Sequence, residues 1–159
     1  MKSAFLPDRG VIKVAGDDAR NFLNGLITTD VDRLKPGLGR FGALLTPGDH
    51  KARMDLMLYG SEQDAGLRAA KRLDGAQMAL AKARNAVYRK AANARALLDA
   101  VPRELQSDPG YIFARVQQLR REENFAAAGQ LMLSAPRDPG RLYNYDEWWI
   151  ERRLLARKL

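Results

Sequence analysis

The stretch from Leu80 to Leu98 reads LAKARNAVYRKAANARALL, and it decides the fold class. Its apolar side chains recur three or four positions apart, which places them on one face of a helix. These residues are Leu80, Ala83, Val87, Ala91, Ala94 and Leu98. We expect a break near Ala92-Asn93 to divide the stretch into two helices.

The rest of residues 48–159 shows the same helical spacing. Three more apolar stripes contain Ile112, Val116 and Leu119, then Phe125, Ala128 and Met132, then Trp148, Leu155 and Leu159 flanked by Ile150 and Leu154. Proline marks helix ends at Val101-Pro102, Ala135-Pro136 and Asp138-Pro139-Gly140 because it cannot continue a helix. The sequence therefore predicts helices throughout this segment.

Short matches recur in this segment at the spacing of helical hairpins. Ala-Arg occurs at 52–53, 83–84 and 114–115, which are 31 residues apart, and Asn93 precedes Asn124 by the same interval. The sequence LLDAVP at 97–102 precedes LMLSAP at 131–136 by 34 residues. These matches predict hairpins stacked as an α-solenoid, in which small alanine side chains let helices approach closely.

Residues 1–47 differ from the rest in composition and pattern. They hold 6 of the 13 glycines and 4 alanines, whereas residues 48–159 hold 20 alanines. A strand is predicted at 10–16 and a second at 40–45, the latter ended by Pro47. The helix between them carries Ala19, Phe22, Leu23 and Leu26 on one face.

Two further signals complete this N-terminal β-α-β fragment. The carboxylate of Asp17 or Asp18 would cap the helix by accepting hydrogen bonds from its first amides. Lys35-Pro36-Gly37 is typical of a turn. Two strands and one helix are too little to bury an independent core. We therefore predict a mainly α protein, with the fragment over residues 1–47 and an α-solenoid over residues 48–159.

Composition excludes several classes of function. The 159 residues are 46% hydrophobic and 29% charged, as in a globular protein. The absence of cysteine excludes disulfides, thiolate nucleophiles and cysteine-held zinc or iron–sulfur sites. With His50 as the single histidine, no multi-histidine metal site can form. The net charge of +8 comes from scattered residues, which favours a solvated helix surface over nucleic-acid binding.

The N-terminal segment carries one family resemblance. Residues 8–12 read DRGVI, residues 15–31 read AGDDARNFLNGLITTDV, and residues 42–47 read GALLTP. This segment resembles the N-terminus of folate-binding proteins related to the glycine-cleavage T-protein, in the branch linked to iron–sulfur cluster maintenance. The resemblance covers a quarter of the chain and implies a folate-binding protein in cluster maintenance or tRNA modification.

The helical segment carries a second resemblance. Its motifs are DHKARMD at 49–55, AAKRL at 69–73, DPGYIFAR at 108–115 and DEWWIERR at 146–153. They are similar to the superhelical domain of soluble lytic murein transglycosylases, a U- or ring-shaped periplasmic α-solenoid beside a separate catalytic domain. The resemblance implies a non-catalytic scaffold, truncated before any catalytic domain, in a chain that looks like a chimera.

The carboxylates and the histidine do not form a predicted catalytic site. Glycan cleavage needs a neutral carboxylic acid, and in the resembled family it is a glutamate followed by serine. No glutamate here precedes a serine. Glu122-Glu123 and Asp146-Glu147 are interpreted as solvated or first-turn helix charges. His50 is interpreted as a capping-region or surface residue. We predict no catalytic, cofactor-binding or metal-binding residue.

Three other motifs have structural interpretations. Of Trp148-Trp149, at least one is expected in the core, although either could stack on a sugar ring. Arg120-Arg121 and Arg152-Arg153 are interpreted as exposed helix charge, although they could contact anionic muropeptides or nucleic acid. The GxGxxG pattern at 37–42 precedes a strand and opens no helix, so it lacks phosphate-binding geometry.

The leading functional prediction is thus a non-catalytic superhelical scaffold segment, with peptidoglycan as the partner that the family resemblance implies. Two alternatives stay open: a cytosolic module that binds a protein or peptide on a concave solenoid face, and a folate-binding T-protein relative. No metal, cofactor, membrane span or nucleic acid is expected. The transglycosylase resemblance implies the periplasm, whereas residues 1–8 begin no signal peptide and imply the cytoplasm if the chain is expressed as written. Apolar solenoid ends also predict self-association.

Overall fold

The computed structural model describes residues 13–27, 31–35, 42 and 45–159. The chain divides into two compact units, residues 1–45 and residues 46–159. Helices dominate the described residues, which confirms the prediction of a mainly α protein. Within those residues the only sign of β structure is an isolated bridge at Ile27.

The first unit contains helix α1, Ala19–Leu26, where the sequence predicts it. Asp18 is its N-cap, but the prediction that its carboxylate caps the first backbone amides is wrong. The Asp18 carboxylate accepts from the side-chain amide of Asn21 at 3.0 Å and from no backbone amide. Lys13–Gly16, the described part of the first predicted strand, is not a strand. The rest of that strand, and most of the second at 40–45, lies outside the described residues, so the β-α-β fragment is not supported.

The second unit consists of helical hairpins. Short loops join α2 to α3, α4 to α5 and α6 to α7, and the two helices of each pair contact each other. Two 3-10 turns, Arg103–Leu105 and Pro139–Arg141, precede α6 and α8. The helices are α2 Pro47–Met57, α3 Gln63–Ala70, α4 Gly75–Tyr88, α5 Ala94–Asp99, α6 Pro109–Arg121, α7 Phe125–Leu133 and α8 Tyr145–Ala156.

Proline begins helices here as well as ending them. The Thr46 hydroxyl and the Asp49 carboxylate form a reciprocal capping box, and Pro47 takes the first position of α2. Proline suits that position because the missing amide would have no helical partner. Asp138-Pro139-Gly140, predicted as a helix end, likewise begins the second 3-10 turn. The predicted ends near Pro102 and Pro136 are confirmed, since α5 and α7 end shortly before them.

Two hairpins share the same turn. Lys90 after α4 and Glu123 after α6 both adopt a left-handed conformation, with φ of 54° and 60°. In each turn the following residue donates its amide to the carbonyl five positions earlier, at 2.9 Å. This bond pattern is the Schellman motif, which satisfies the last free carbonyls of a helix. The predicted break near Ala92-Asn93 is therefore a hairpin turn.

The core runs from hairpin to hairpin as three neighbouring apolar clusters. The clusters centre on Met54 between α2, α3 and α4, on Leu98 between α4, α5 and α6, and on Trp148 between α6, α7 and α8. The stripe that decides the fold class lies in the second cluster, as predicted. In the last stripe, Trp148 and Leu155 are buried but Ile150, Leu154 and Leu159 are exposed, so that part of the prediction is wrong.

Replacing the exposed Glu123 by glycine tests the left-handed turn. Glycine adopts positive φ without the steric cost of a Cβ atom, so Glu123→Gly should stabilise the fold by about 0.5–1 kcal/mol. Urea denaturation followed by circular dichroism measures the change. Glu123→Ala is the matched control, because it removes the same carboxylate and keeps the Cβ atom. Equal effects of the two substitutions on stability would contradict the left-handed conformation at Glu123.

Candidate functional site

A buried ion pair joins the first two hairpins. Asp55 on α2 and Arg84 on α4 are both almost fully buried. One terminal guanidinium nitrogen of Arg84 donates to the Asp55 carboxylate, and the other donates to the Asp55 carbonyl at 3.1 Å. Buried charges are tolerated only when they are paired in this way, so the contact fixes α4 against α2.

Lys51 extends the pair to a third helix. Its ammonium lies 2.8 Å from the second Asp55 oxygen and 2.9 Å from the carboxylate of Asp108. Asp108 is the N-cap of α6 and accepts from the amide of Gly110 at 2.8 Å. Burial disfavours the charged ammonium, but Asp55 and Asp108 outweigh it and raise the pKa of Lys51. The lysine therefore stays charged and bridges two carboxylates.

Gly110 is required where Arg84 crosses the start of α6. A Cβ atom at this position would lie 2.5 Å from a terminal nitrogen of Arg84. Because Asp55 holds that guanidinium in place, a larger side chain would clash with it.

Aromatic rings continue the network to the last helix. Arg84 lies 4.9 Å from the centroid of the Tyr59 ring, and the Tyr59 hydroxyl accepts from the Trp148 indole at 3.0 Å. Phe113 lies between them, with its centroid 5.0 Å from each ring. Burial raises the pKa of Tyr59 to about 12. These contacts join the chain just after α2 to α6 and α8.

Two openings flank this network. A cleft of about 290 Å³ exposes Lys51, Asp108 and Tyr143. A groove of about 360 Å³ lies across the network from the end of α2 to the start of α8. The groove is lined by Ser61, Tyr88, Gln117, Arg121 and Glu147, among others. Besides buried groups of the network, the groove lining includes the exposed Tyr88 ring, the half-buried side chains of Arg121 and Glu147, and neutral polar groups, which suits binding of a polar ligand.

A second ion pair joins α6 to α8. The guanidinium of Arg120 on α6 forms a bidentate pair with buried Glu151 on α8. The neighbouring Arg121 donates to the carbonyl of Val87 on α4. Burial and the nearby Arg120 lower the pKa of Arg121. The prediction that Arg120-Arg121 are exposed is therefore wrong, because both bind groups on neighbouring helices.

The other predicted residues divide between core and surface. Trp148 is buried and Trp149 is exposed, as predicted for one member of the pair. Arg152 is half-buried, contrary to prediction, because it donates to the Pro136 carbonyl at 3.2 Å; Arg153 is exposed. The carboxylate pairs lie where the sequence predicts them, with Glu122-Glu123 exposed after α6 and Asp146-Glu147 in the first turn of α8.

His50 lies in the first turn of α2, which confirms its place in a capping region, but it is buried. Its burial shows that the surface alternative is wrong. Burial and the nearby Arg72 and Arg53 lower the pKa of His50. The GxGxxG pattern at 37–42 lies outside the described residues except for Gly42.

The described ranges contain no group of three metal-ligating side chains. Within the same ranges, no helix has the length and hydrophobicity needed to cross a membrane.

One local signal in the sequence points to the ion-pair network. Lys51 and Asp55 are four residues apart, a spacing at which opposite charges pair on a helix. The partners Arg84 and Asp108 are 29 and 57 positions from the residues that they bind. No short-range pattern relates residues so far apart, so the complete network could not be predicted.

Comparisons of the chain with protein-family models, with curated proteins and with solved structures find no match. The two resemblances therefore rest on the sequence motifs alone.

Removing one partner of the buried ion pair should strongly destabilise the second unit. Asp55→Ala leaves the Arg84 guanidinium buried without its carboxylate, and we expect a loss of about 3–5 kcal/mol in the free energy of unfolding. Asp64→Ala is the matched control, because it removes an exposed pair with Arg89 and should cost less than about 1 kcal/mol. Urea denaturation measures both. Similar losses of stability in the two variants would contradict the structural role of the Asp55–Arg84 pair.

Stability should fall in strongly alkaline solution because of Tyr59. Above a pH of about 10 the unfolded chain releases the phenol proton, while the folded state keeps it up to about 12. The free energy of unfolding should therefore fall by up to about 2–3 kcal/mol across this window. Urea denaturation at several pH values measures the slope. Tyr59→Phe should flatten it, whereas the exposed Tyr88→Phe should not; an unchanged slope in Tyr59→Phe contradicts the assignment.

Proposed function

We propose that residues 46–159 are a non-catalytic scaffold segment, a short α-solenoid similar to the superhelical domain of soluble lytic murein transglycosylases, and that it holds peptidoglycan in the periplasm. The observation that carries the proposal is the succession of hairpins with one shared turn, at Lys90 and Glu123, and with three neighbouring apolar clusters that run from hairpin to hairpin. Repetition of a helical unit along a chain is the basis of solenoid architecture.

Contacts between successive hairpins support the solenoid. The pair Asp55–Arg84 joins α2 to α4, α4 packs on α6, and the pair Arg120–Glu151 joins α6 to α8. The first helix of each hairpin is thus bound to the first helix of the next. A row of this kind provides a rigid surface, because each ion pair fixes the register between its two helices.

The groove supports glycan binding. Tyr88 exposes about half of its side chain there, and an aromatic face stacks well on a sugar ring. Arg121 supplies a cation for the carboxylates that peptidoglycan carries on its sugars and peptides. Gln117 and Glu147 provide hydrogen-bonding groups for hydroxyls and amides. The network behind the groove is internally paired, so the groove would bind its ligand without cleaving it.

Co-sedimentation with purified peptidoglycan sacculi tests the proposal. We expect the chain to pellet with sacculi and to release no soluble muropeptides. Tyr88→Ala should weaken binding about tenfold, because it removes the exposed aromatic face of the groove. The matched control is Tyr143→Ala, since Tyr143 is exposed to a similar extent, 47% against 45%, and lies outside the groove.

Two results would overturn the proposal. A chain that stays in the supernatant at low salt does not hold peptidoglycan. A chain that releases muropeptides is an enzyme and not a scaffold. A parallel titration with a reduced folate tests the T-protein alternative. Saturable folate binding without binding to sacculi would favour the resemblance of residues 8–47.

A further inference from the structure

Helix α8 has two faces of opposite character. One face packs into the core through Trp148, Glu151 and Leu155. The other face leaves large apolar side chains in solvent, with Trp149 65%, Ile150 40% and Leu154 36% exposed. Clustered exposed apolar residues of this size are typical of protein interaction sites.

The exposed residues form one stripe along the helix, which we name the α8 stripe. They are spaced three or four positions apart, which aligns them in a row on one side of α8. The α8 stripe consists of Asp146, Trp149, Ile150, Arg153, Leu154 and Arg157, all exposed. Asp146 lies at its N-terminal end and Arg157 at its C-terminal end, and the apolar residues lie between them with Arg153 among them.

The α8 stripe is complementary to itself in the antiparallel orientation. A two-fold axis midway between Glu151 and Arg152 relates position 146 to 157, 149 to 154, and 150 to 153. Asp146 would then face Arg157 of the second copy at both ends, and Trp149 would face Leu154 of the second copy. A parallel pair would instead place like charges together.

We propose that the α8 stripe is a homodimer interface, in which α8 of a second copy of this chain packs antiparallel. The charges at the two ends support this occupant, because Asp146 of each copy would pair with Arg157 of the other. Antiparallel helices also place their opposite dipole ends together. A two-fold interface of this kind uses the same patch on both copies.

The position of α8 in the row of hairpins agrees with this occupant. Among the described helices, α6 packs on α4, and α8 packs on α6, so α4, α6 and α8 form a row. A second α8 would continue the row across the two-fold axis. The helix has 12 residues, which makes it about 18 Å long. One helix pair of this length buries less area than a standard interface, so the dimer should be weak, with a micromolar dissociation constant.

Sedimentation equilibrium of the full chain over a wide concentration range tests the proposal. We expect a monomer–dimer equilibrium for the unchanged chain. Trp149→Asp should leave only monomer, because it places a charge against Leu154 of the second copy; Leu154→Asp, which places a charge against Trp149, is a second variant of the same design. Far-UV circular dichroism of each variant shows that α8 still folds. A monomer at every concentration, or a dimer that survives both substitutions, overturns the proposal.

Charge reversal tests the antiparallel register. Asp146→Arg and Arg157→Asp should each weaken the dimer about tenfold, because each places like charges together at both ends of the interface. The double variant restores two opposite-charge pairs and should regain most of the affinity. Arg103→Asp is the matched control, since Arg103 is exposed on another element and its reversal should change nothing. Failure of the double variant to regain affinity overturns the antiparallel arrangement.

Discussion

The buried pair of Asp55 and Arg84 is the constraint on which the second unit depends. Two charges removed from water are stable only with close and complete pairing, so the helices that carry them cannot slide. Lys51 and Asp108 complete the pairing, and they tie the start of the third hairpin to the first. Gly110 leaves the space that the guanidinium occupies. Three hairpins thus share one set of charges, and a change at any of these positions affects all three.

The same design recurs at the other end of the unit. The Arg120–Glu151 pair joins α6 to α8 much as the first pair joins α2 to α4. Trp148 connects the two ends, because its ring lies in the last apolar cluster and its indole nitrogen donates to Tyr59 in the first hairpin region. Internal pairing of so many charges and polar groups fixes the helices of the unit against one another. Two features of the unit are open to solvent, the groove and the α8 stripe.

Residues with a local role are predictable from the sequence, and residues with a distant partner are not. The helices around Leu98, Val116 and Ala128 follow from apolar spacing, because a buried helical face needs one side chain every three or four positions. The sequence predicts Arg120 and Arg121 to be exposed, because charged residues on a helix usually face solvent, and their partners Glu151 and Val87 lie 31 and 34 positions away. His50 is predicted as a capping-region or surface residue; its place in the first turn of α2 is confirmed, but it is buried.

The sequence by itself determined that this protein is mainly helical, and it determined the break near Ala92-Asn93 and the helix ends near Pro102 and Pro136, because apolar periodicity and helix-ending residues act within a few positions of the chain. Only the tertiary structure decided which charges are buried, which tryptophan lies in the core and where the groove runs. The physical reason is that these features depend on groups 29 to 89 residues apart, such as Asp55 with Arg84 and Tyr59 with Trp148. Their contact exists only after the hairpins have packed.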